Sequence, residues 1–144
     1  MVTASNCLFW ALLSATFAAL TAIFAKVGLE VVDSDLATWV RTMVIIVVLT
    51  WFVYFAGKWR NPFELSSRTL LFLALSGLAT GASWVCYFRA LKVGDASKVA
   101  PVDKLSLLLV TVFAFLFLDE RPSAREWFGI LMIGVGVLVL AYKS

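Results

Sequence analysis

"APVDKLSLLLVTVFAFLFLDE", residues 100 to 120, sets a proline, a carboxylate and an ammonium directly against a long apolar run that carries no charge from Leu105 to Leu118. A helix rising ~1.5 Å per residue needs about 20 apolar residues to cross the hydrocarbon of a bilayer, and the stretch from Val99 to Leu118 matches that length. Charge at the edge of hydrocarbon is costly, so Asp103 and Lys104 call for a reason as well as a place.

The rest of the chain repeats the pattern. Of its 144 residues 62% are hydrophobic and 15% charged, with a mean hydropathy of +0.98, so it cannot present polar surface to water on all sides. Five apolar stretches stand near residues 8–25, 36–56, 70–91, 99–118 and 127–142. The separators "KVGLEVVDSD", "GKWRNPFELSSR", "KVGDASK" and "DERPSARE" hold the Gly, Pro, Asp and Ser that stop and restart helices. The expected fold is an all-α membrane protein of five transmembrane helices in a single domain spanning 1–144. The first stretch reads as a retained helix, because "MVTASN" lacks a basic region and no small-residue cleavage site follows.

Composition also removes function classes. There is no histidine, hence no near-neutral proton carrier of the usual kind and none of the commonest metal ligand. Cys7 and Cys86 show no metal spacing and read as small apolar residues. No phosphate loop, zinc motif or nucleophile elbow is present, so neither an enzyme nor a cofactor is expected. The net charge of +3 does not point to nucleic acid, because the cations are spread over both sides with acids between them.

With five crossings the termini lie on opposite sides. The N-terminal side, A, holds Lys58, Arg60, Arg68, Arg121 and Arg125; side B holds Lys26, Arg41, Arg89, Lys92, Lys98, Lys104 and Lys143, of which Lys26, Arg41 and Lys104 fall within or at the edge of apolar stretches. The positive-inside bias is therefore near zero, the condition under which a chain inserts in both orientations.

Small residues suggest close packing. Gly77 and Gly81 stand at GxxxG spacing, and Gly129, Gly134 and Gly136 punctuate the fifth stretch, where missing side chains let helix backbones approach in lipid. Packing within the chain is the favoured reading of the Gly77–Gly81 pair over a dimer seam. Trp84 and Tyr87 share a face with Thr80, nearer mid-span than the interfacial belt, and read either as a cavity wall or as buried packing.

Depth brings the charges together. Arg41, Arg89, Asp103 and Lys104 lie within roughly 8 Å of the side B boundary, with Lys26 at the end of the first stretch. Lys26 and Lys104 taken singly read as lysines reaching back to water, and Pro101 is tolerated in a first helical turn. Asp103 is too short to reach water and wants a partner such as Arg41, Arg89 or a lysine of a neighbouring helix. As a set they suggest a polar vestibule.

The run from Thr80 to Leu140, with Arg89-Ala90-Leu91 ending the third helix, Pro101 opening the fourth, Glu120 closing it and the glycines of the fifth, resembles the second part of an EamA-type domain of the drug/metabolite transporter superfamily. "ALLSATFAALTAIFAKVGL" and "LATWVRT" resemble its first two helices. The resemblance implies one five-helix repeat of a fold that usually has ten helices, with two repeats facing each other in inverted orientation around a midplane site. A chain with one repeat then finds its other half in a second copy, inserted the opposite way. Small multidrug exporters of the superfamily use a glutamate in the first helix, whereas this stretch offers Ser14, Thr16, Thr21 and Lys26. The expected function is secondary transport of a small anionic or zwitterionic metabolite, with a lipophilic-cation exporter, a non-transporting assembly partner and, last, a membrane enzyme as alternatives.

The charge balance has a direct test. A single cysteine near Lys58, in a background without Cys7 and Cys86, should be labelled in part from each face of intact cells. Labelling of every copy from one face only would exclude dual insertion.

Overall fold

A computed structural model describes residues 4–142; Lys143, counted above on side B, lies outside the described residues. The helices are α1 (Ala4–Gly28), α2 (Ser34–Phe55), α3 (Ser67–Val93), α4 (Ala96–Asp103), α5 (Ser106–Phe117) and α6 (Ala124–Tyr142), with a 3₁₀ turn at Pro62–Glu64. Five spans are long and apolar enough to cross a membrane, the fourth running through α4 and α5 from Ala96 to Phe117. The protein is an integral multi-pass membrane protein of all-helical fold.

The helices start earlier or end later than the apolar stretches, because caps and amphipathic turns extend them into polar sequence. Asp33 caps α2, its carboxylate accepting from the amides of Asp35 at 2.9 Å and Leu36 at 3.3 Å, which satisfies donors that the helix itself cannot. At the other end of α2, Gly57 adopts a φ of 63°, and the amides of Gly57 and Lys58 donate to the carbonyls of Tyr54 and Val53. That left-handed glycine closes a Schellman motif, which an L side chain would strain. Ser123 and Glu126 open α6 as a capping box: the Ser123 amide donates to Glu126 at 2.6 Å and the Glu126 amide returns to the Ser123 hydroxyl at 3.4 Å.

The fourth span differs most from its sequence reading. Helix starts at Ala96, so Pro101 lies inside α4 rather than in an opening turn. Proline lacks the amide that would continue the ladder, and beyond it the amides of Lys104 and Leu105 bond three residues back, to Pro101 and Val102 at 2.9 and 3.0 Å. This tighter turn separates α4 from α5 and places Asp103 and Lys104 at the break.

The chain forms two compact units, Met1–Val93 and Gly94–Ser144. In the first, α1 and α2 pack chiefly on α3. Its buried side chains, among them Leu29, Phe88, Leu91, Ser34 and Thr38, gather where α1 ends, α2 begins and α3 ends. Most other large apolar side chains are exposed, as expected where lipid is the solvent. Threonines in these spans bond within their own helix: Thr38, Thr42 and Thr80 donate to the carbonyls of Ser34, Thr38 and Ser76 at 2.7 to 2.9 Å, which meets the hydroxyl's need where water is absent.

In the second unit α6 packs against α4 and α5. Gly134 is buried there, and a Cβ on it would stand 3.0 Å from the Leu108 side chain. Gly77, Gly81, Gly129 and Gly136 have open space at the Cβ position, with no described atom of their own unit within 4 Å. The Gly77–Gly81 pair therefore makes no close packing within its own unit.

Gly134→Val should lower the thermal transition, since a branched side chain meets Leu108 head on. Adding Leu108→Ala should recover most of the loss, because the two residues are in contact and their effects couple. Gly136→Val should be milder, and equal losses at the two glycines would refute this packing.

Candidate functional site

The end of the first unit where α1 finishes is held by side chains reaching across to backbone. Lys26 of α1 donates to the Leu91 carbonyl at 2.7 Å. Lys92 of α3 donates in the opposite direction, to the carbonyls of Leu29 and of Val32, the latter at 3.0 Å, with Glu30 at 3.4 Å. Carbonyls at a helix end have no intrahelical partner, and an ammonium there also suits the negative end of the helix dipole. Lys26, read as reaching water, is thus a stitch between α1 and α3.

Arg89 has a carboxylate partner, and it is Asp35. Its Nε and Nη2 donate to the two oxygens of Asp35 at 2.9 and 2.6 Å, the two-pronged geometry that a guanidinium makes with a carboxylate. Asp35 sits in the first turn of α2, next to the Asp33 cap, where the positive end of the dipole favours a carboxylate. The Asp33-Ser34-Asp35 run before an apolar stretch is a helix-start signal in sequence; nothing in the sequence points from it to Arg89, 54 residues on.

Arg41 is arranged differently. Its Cζ lies 4.1 Å from the centroid of Trp84 and 5.1 Å from that of Phe88, residues one helical turn apart on α3. Among the described residues no hydrogen-bond acceptor or carboxylate meets this guanidinium at bonding distance. Phe88, only 2% exposed, is the aromatic that sequence reasoning missed; Tyr87, which the sequence paired with Trp84, meets the Phe88 ring edge-on at 6.3 Å. Arg41 stands seven residues beyond Ser34, about 10 Å along the helix axis.

In the second unit, Asp103 has Lys104 at 3.3 Å, its chain neighbour at the α4–α5 break. The sequence reading gave Asp103 a partner on another helix; the ion pair it makes is with its chain neighbour. Lys98 pairs with Asp95 at 3.5 Å one turn apart.

A groove of about 610 Å³ runs between α1 and α2, over α3. Phe24 and Gly28 of α1, Leu36 and Val40 of α2 and Phe88 of α3 are among its walls, and Arg41 is its one charged lining residue. The size falls within the range of small-molecule sites, and a mostly apolar wall with a few polar groups, here Arg41 and Thr21, is their usual composition.

Membrane-spanning helices, charge drawn into them and a groove that carries an unpaired cation define a helical membrane protein of the transporter class. The chain belongs to the EamA-like transporter family, whose model matches residues 5–142. It is 58% identical over 133 residues to an uncharacterized transporter from the cobO 3' region of a Sinorhizobium species, covering 92% of this chain and 94% of that one. It is 30% identical over 88 residues to a Yersinia pestis protein named as a probable 4-amino-4-deoxy-L-arabinose-phosphoundecaprenol flippase subunit, ArnE, covering 60% of this chain and 77% of that one. An uncharacterized protein of Methanocaldococcus jannaschii is 24% identical over 133 residues, covering 92% of this chain and 94% of that one. No solved structure matches.

Reversing either charge of the Arg89–Asp35 pair should lower the thermal transition and the yield of folded protein. The exchange Asp35→Arg with Arg89→Asp should restore part of both, short of full recovery because arginine at a helix N-terminus opposes the dipole. No recovery in the exchanged protein would show that the pair does not couple α2 to α3.

Proposed function

We propose that this protein is a secondary transporter of a small anionic or zwitterionic metabolite, acting as an antiparallel homodimer in a bacterial or archaeal cytoplasmic membrane. The observation that carries the reading is Arg41. A charged side chain inside a membrane helix costs up to about 2.5 to 3.5 kcal/mol at the centre on insertion scales, and less toward the ends where Arg41 lies, and a cation–π contact returns roughly 0.5 to 2 kcal/mol. Trp84 and Phe88 meet the charge of the guanidinium but not its hydrogen-bonding demand, since the ring faces stand over its carbon and offer its N–H donors no oxygen acceptor. The remainder is met when water or a substrate anion reaches it.

Family membership supports transport, and a five-helix chain supplies one half of the paired arrangement from which transporters build a central site. The near-equal Lys/Arg distribution supports oppositely inserted copies. The open Gly77 and Gly81 positions on α3 leave a surface on which another backbone can approach. Around the site we assign Arg41 to the anion, with Trp84 and Tyr87 shaping its surroundings and Arg89 and Lys26 holding the helices; Asp103 and Lys104, at the α4–α5 break of the second unit, are a separate polar candidate.

The lipophilic-cation alternative is weakened by the same geometry, since the Trp84 face already carries the protein's own cation. A second reading, a subunit that works with a different chain, is favoured by the word subunit in the name of the Yersinia relative.

Proteoliposomes containing only this protein should take up a small anionic metabolite in a saturable manner, and Arg41→Gln should reduce uptake by at least about tenfold, equivalent to 1.4 kcal/mol. Uptake that appears only when a second membrane protein is added would establish the subunit reading instead. Uptake of quaternary ammonium compounds alone, indifferent to Arg41→Gln, would overturn the anion assignment.

A further inference from the structure

The groove between α1 and α2 has a chemistry of its own. Of the side chains that line it only Arg41 is charged, and Phe24, Gly28, Leu36, Val40 and Phe88 offer hydrocarbon or ring surface. A small hydrophilic anion would bring one group that suits Arg41 and a hydrated remainder for which the side chains of the wall offer only the Thr21 hydroxyl, and burying polar groups without partners is unfavourable.

The arrangement of Arg41 narrows the ligand further. The rings of Trp84 and Phe88 attract its charge, yet its N–H donors have no protein acceptor at bonding distance among the described residues. A guanidinium carries five donors in a planar fork that matches a carboxylate or phosphate. Asp35, the carboxylate in the first turn of the same helix, is held by Arg89 and is not a partner of Arg41.

We infer that the α1–α2 groove binds an amphiphilic anion, a ligand with one phosphate or carboxylate group for Arg41 and an aliphatic or aromatic body for the apolar walls. This names the substrate class of the site proposed above and rests on that reading for its role in transport. Burial of the body supplies affinity in proportion to the apolar area taken from water, and the single anionic group fixes the ligand's direction along the groove. At about 610 Å³ the groove holds a medium-sized amphiphile rather than an ion alone. The anionic group can belong to a soluble amphiphile or to a bilayer lipid, and the two sources are separated by competition.

Ligand binding to the folded state raises its apparent stability with concentration, so the test is a thermal-shift titration of the full chain in phosphatidylcholine nanodiscs. Decyl phosphate, decyltrimethylammonium and inorganic phosphate serve as probes. Decyl phosphate should stabilise the protein saturably, with an apparent affinity at least about tenfold above either of the others, equivalent to 1.4 kcal/mol. Arg41→Gln should remove that preference for the anion. Ala37→Leu, which fills the groove without touching the charge, should weaken decyl phosphate and leave any response to inorganic phosphate unchanged. Competition by phosphatidylglycerol in the disc would identify a lipid headgroup as the source, and its absence a soluble amphiphile. Equal stabilisation by the alkyl ammonium, equal stabilisation by inorganic phosphate, or an unaltered response in both variants would overturn the inference. Saturable uptake of a hydrophilic anion with no decyl phosphate effect would overturn it and leave the transporter reading standing. Decyl phosphate binding without uptake of any anion would uphold the site and remove transport.

Discussion

Hydrocarbon accepts no hydrogen bond, so each polar group that this chain carries into the bilayer has to be met by another part of the protein or by something that enters with it. The backbone meets the demand by being helical, the threonines by donating to carbonyls one turn back, Lys26 by donating to a carbonyl near the end of α3 and Lys92 to carbonyls of the α1–α2 connection. Arg89 meets it with Asp35. Arg41, resting on Trp84 and Phe88, meets it only in part. The same constraint that builds the scaffold therefore singles out the residue that the scaffold leaves wanting an anion.

The scaffold's strength is unevenly placed. In water a helix bundle gains most by burying apolar side chains; here lipid is as apolar as they are, so large side chains along α1, α2 and α3 remain exposed. What is buried in the first unit gathers mainly near one end, where Leu29, Phe88 and Leu91 lie among the lysine stitches and the Arg89–Asp35 pair. Directional polar contacts set the relation of α1 and α2 to α3, and the groove exists because the two helices pack chiefly on α3 rather than on each other.

In the second unit the same constraint produces a break. Pro101 removes one amide from the ladder, the next turns tighten, and Asp103 and Lys104 emerge together with each other as partners. Discontinuous helices in transporters frequently mark places where polar groups face a pathway. Arg41 and the Asp103–Lys104 pair are thus two polar features reached by different routes, one by an aromatic platform and one by a broken ladder.

Composition and periodicity by themselves determined the solvent, the five spans and the balance of loop charge, because a span's length and apolarity are local properties that a bilayer reads directly. They also picked out Arg41, Trp84, Arg89, Asp103 and Lys104 as residues out of place in hydrocarbon. They placed helix ends to within about a turn, the differences arising where caps such as Asp33 extend helices into polar sequence. Tertiary structure alone decided the partners. Asp35 went to Arg89, Phe88 joined Trp84 beneath Arg41, and Gly134 met Leu108 while Gly77 and Gly81 met no atom of their own unit. Such pairings depend on rotation and offset between helices, quantities that no spacing within one helix encodes, and they are why the unpaired cation became visible only once the helices were packed.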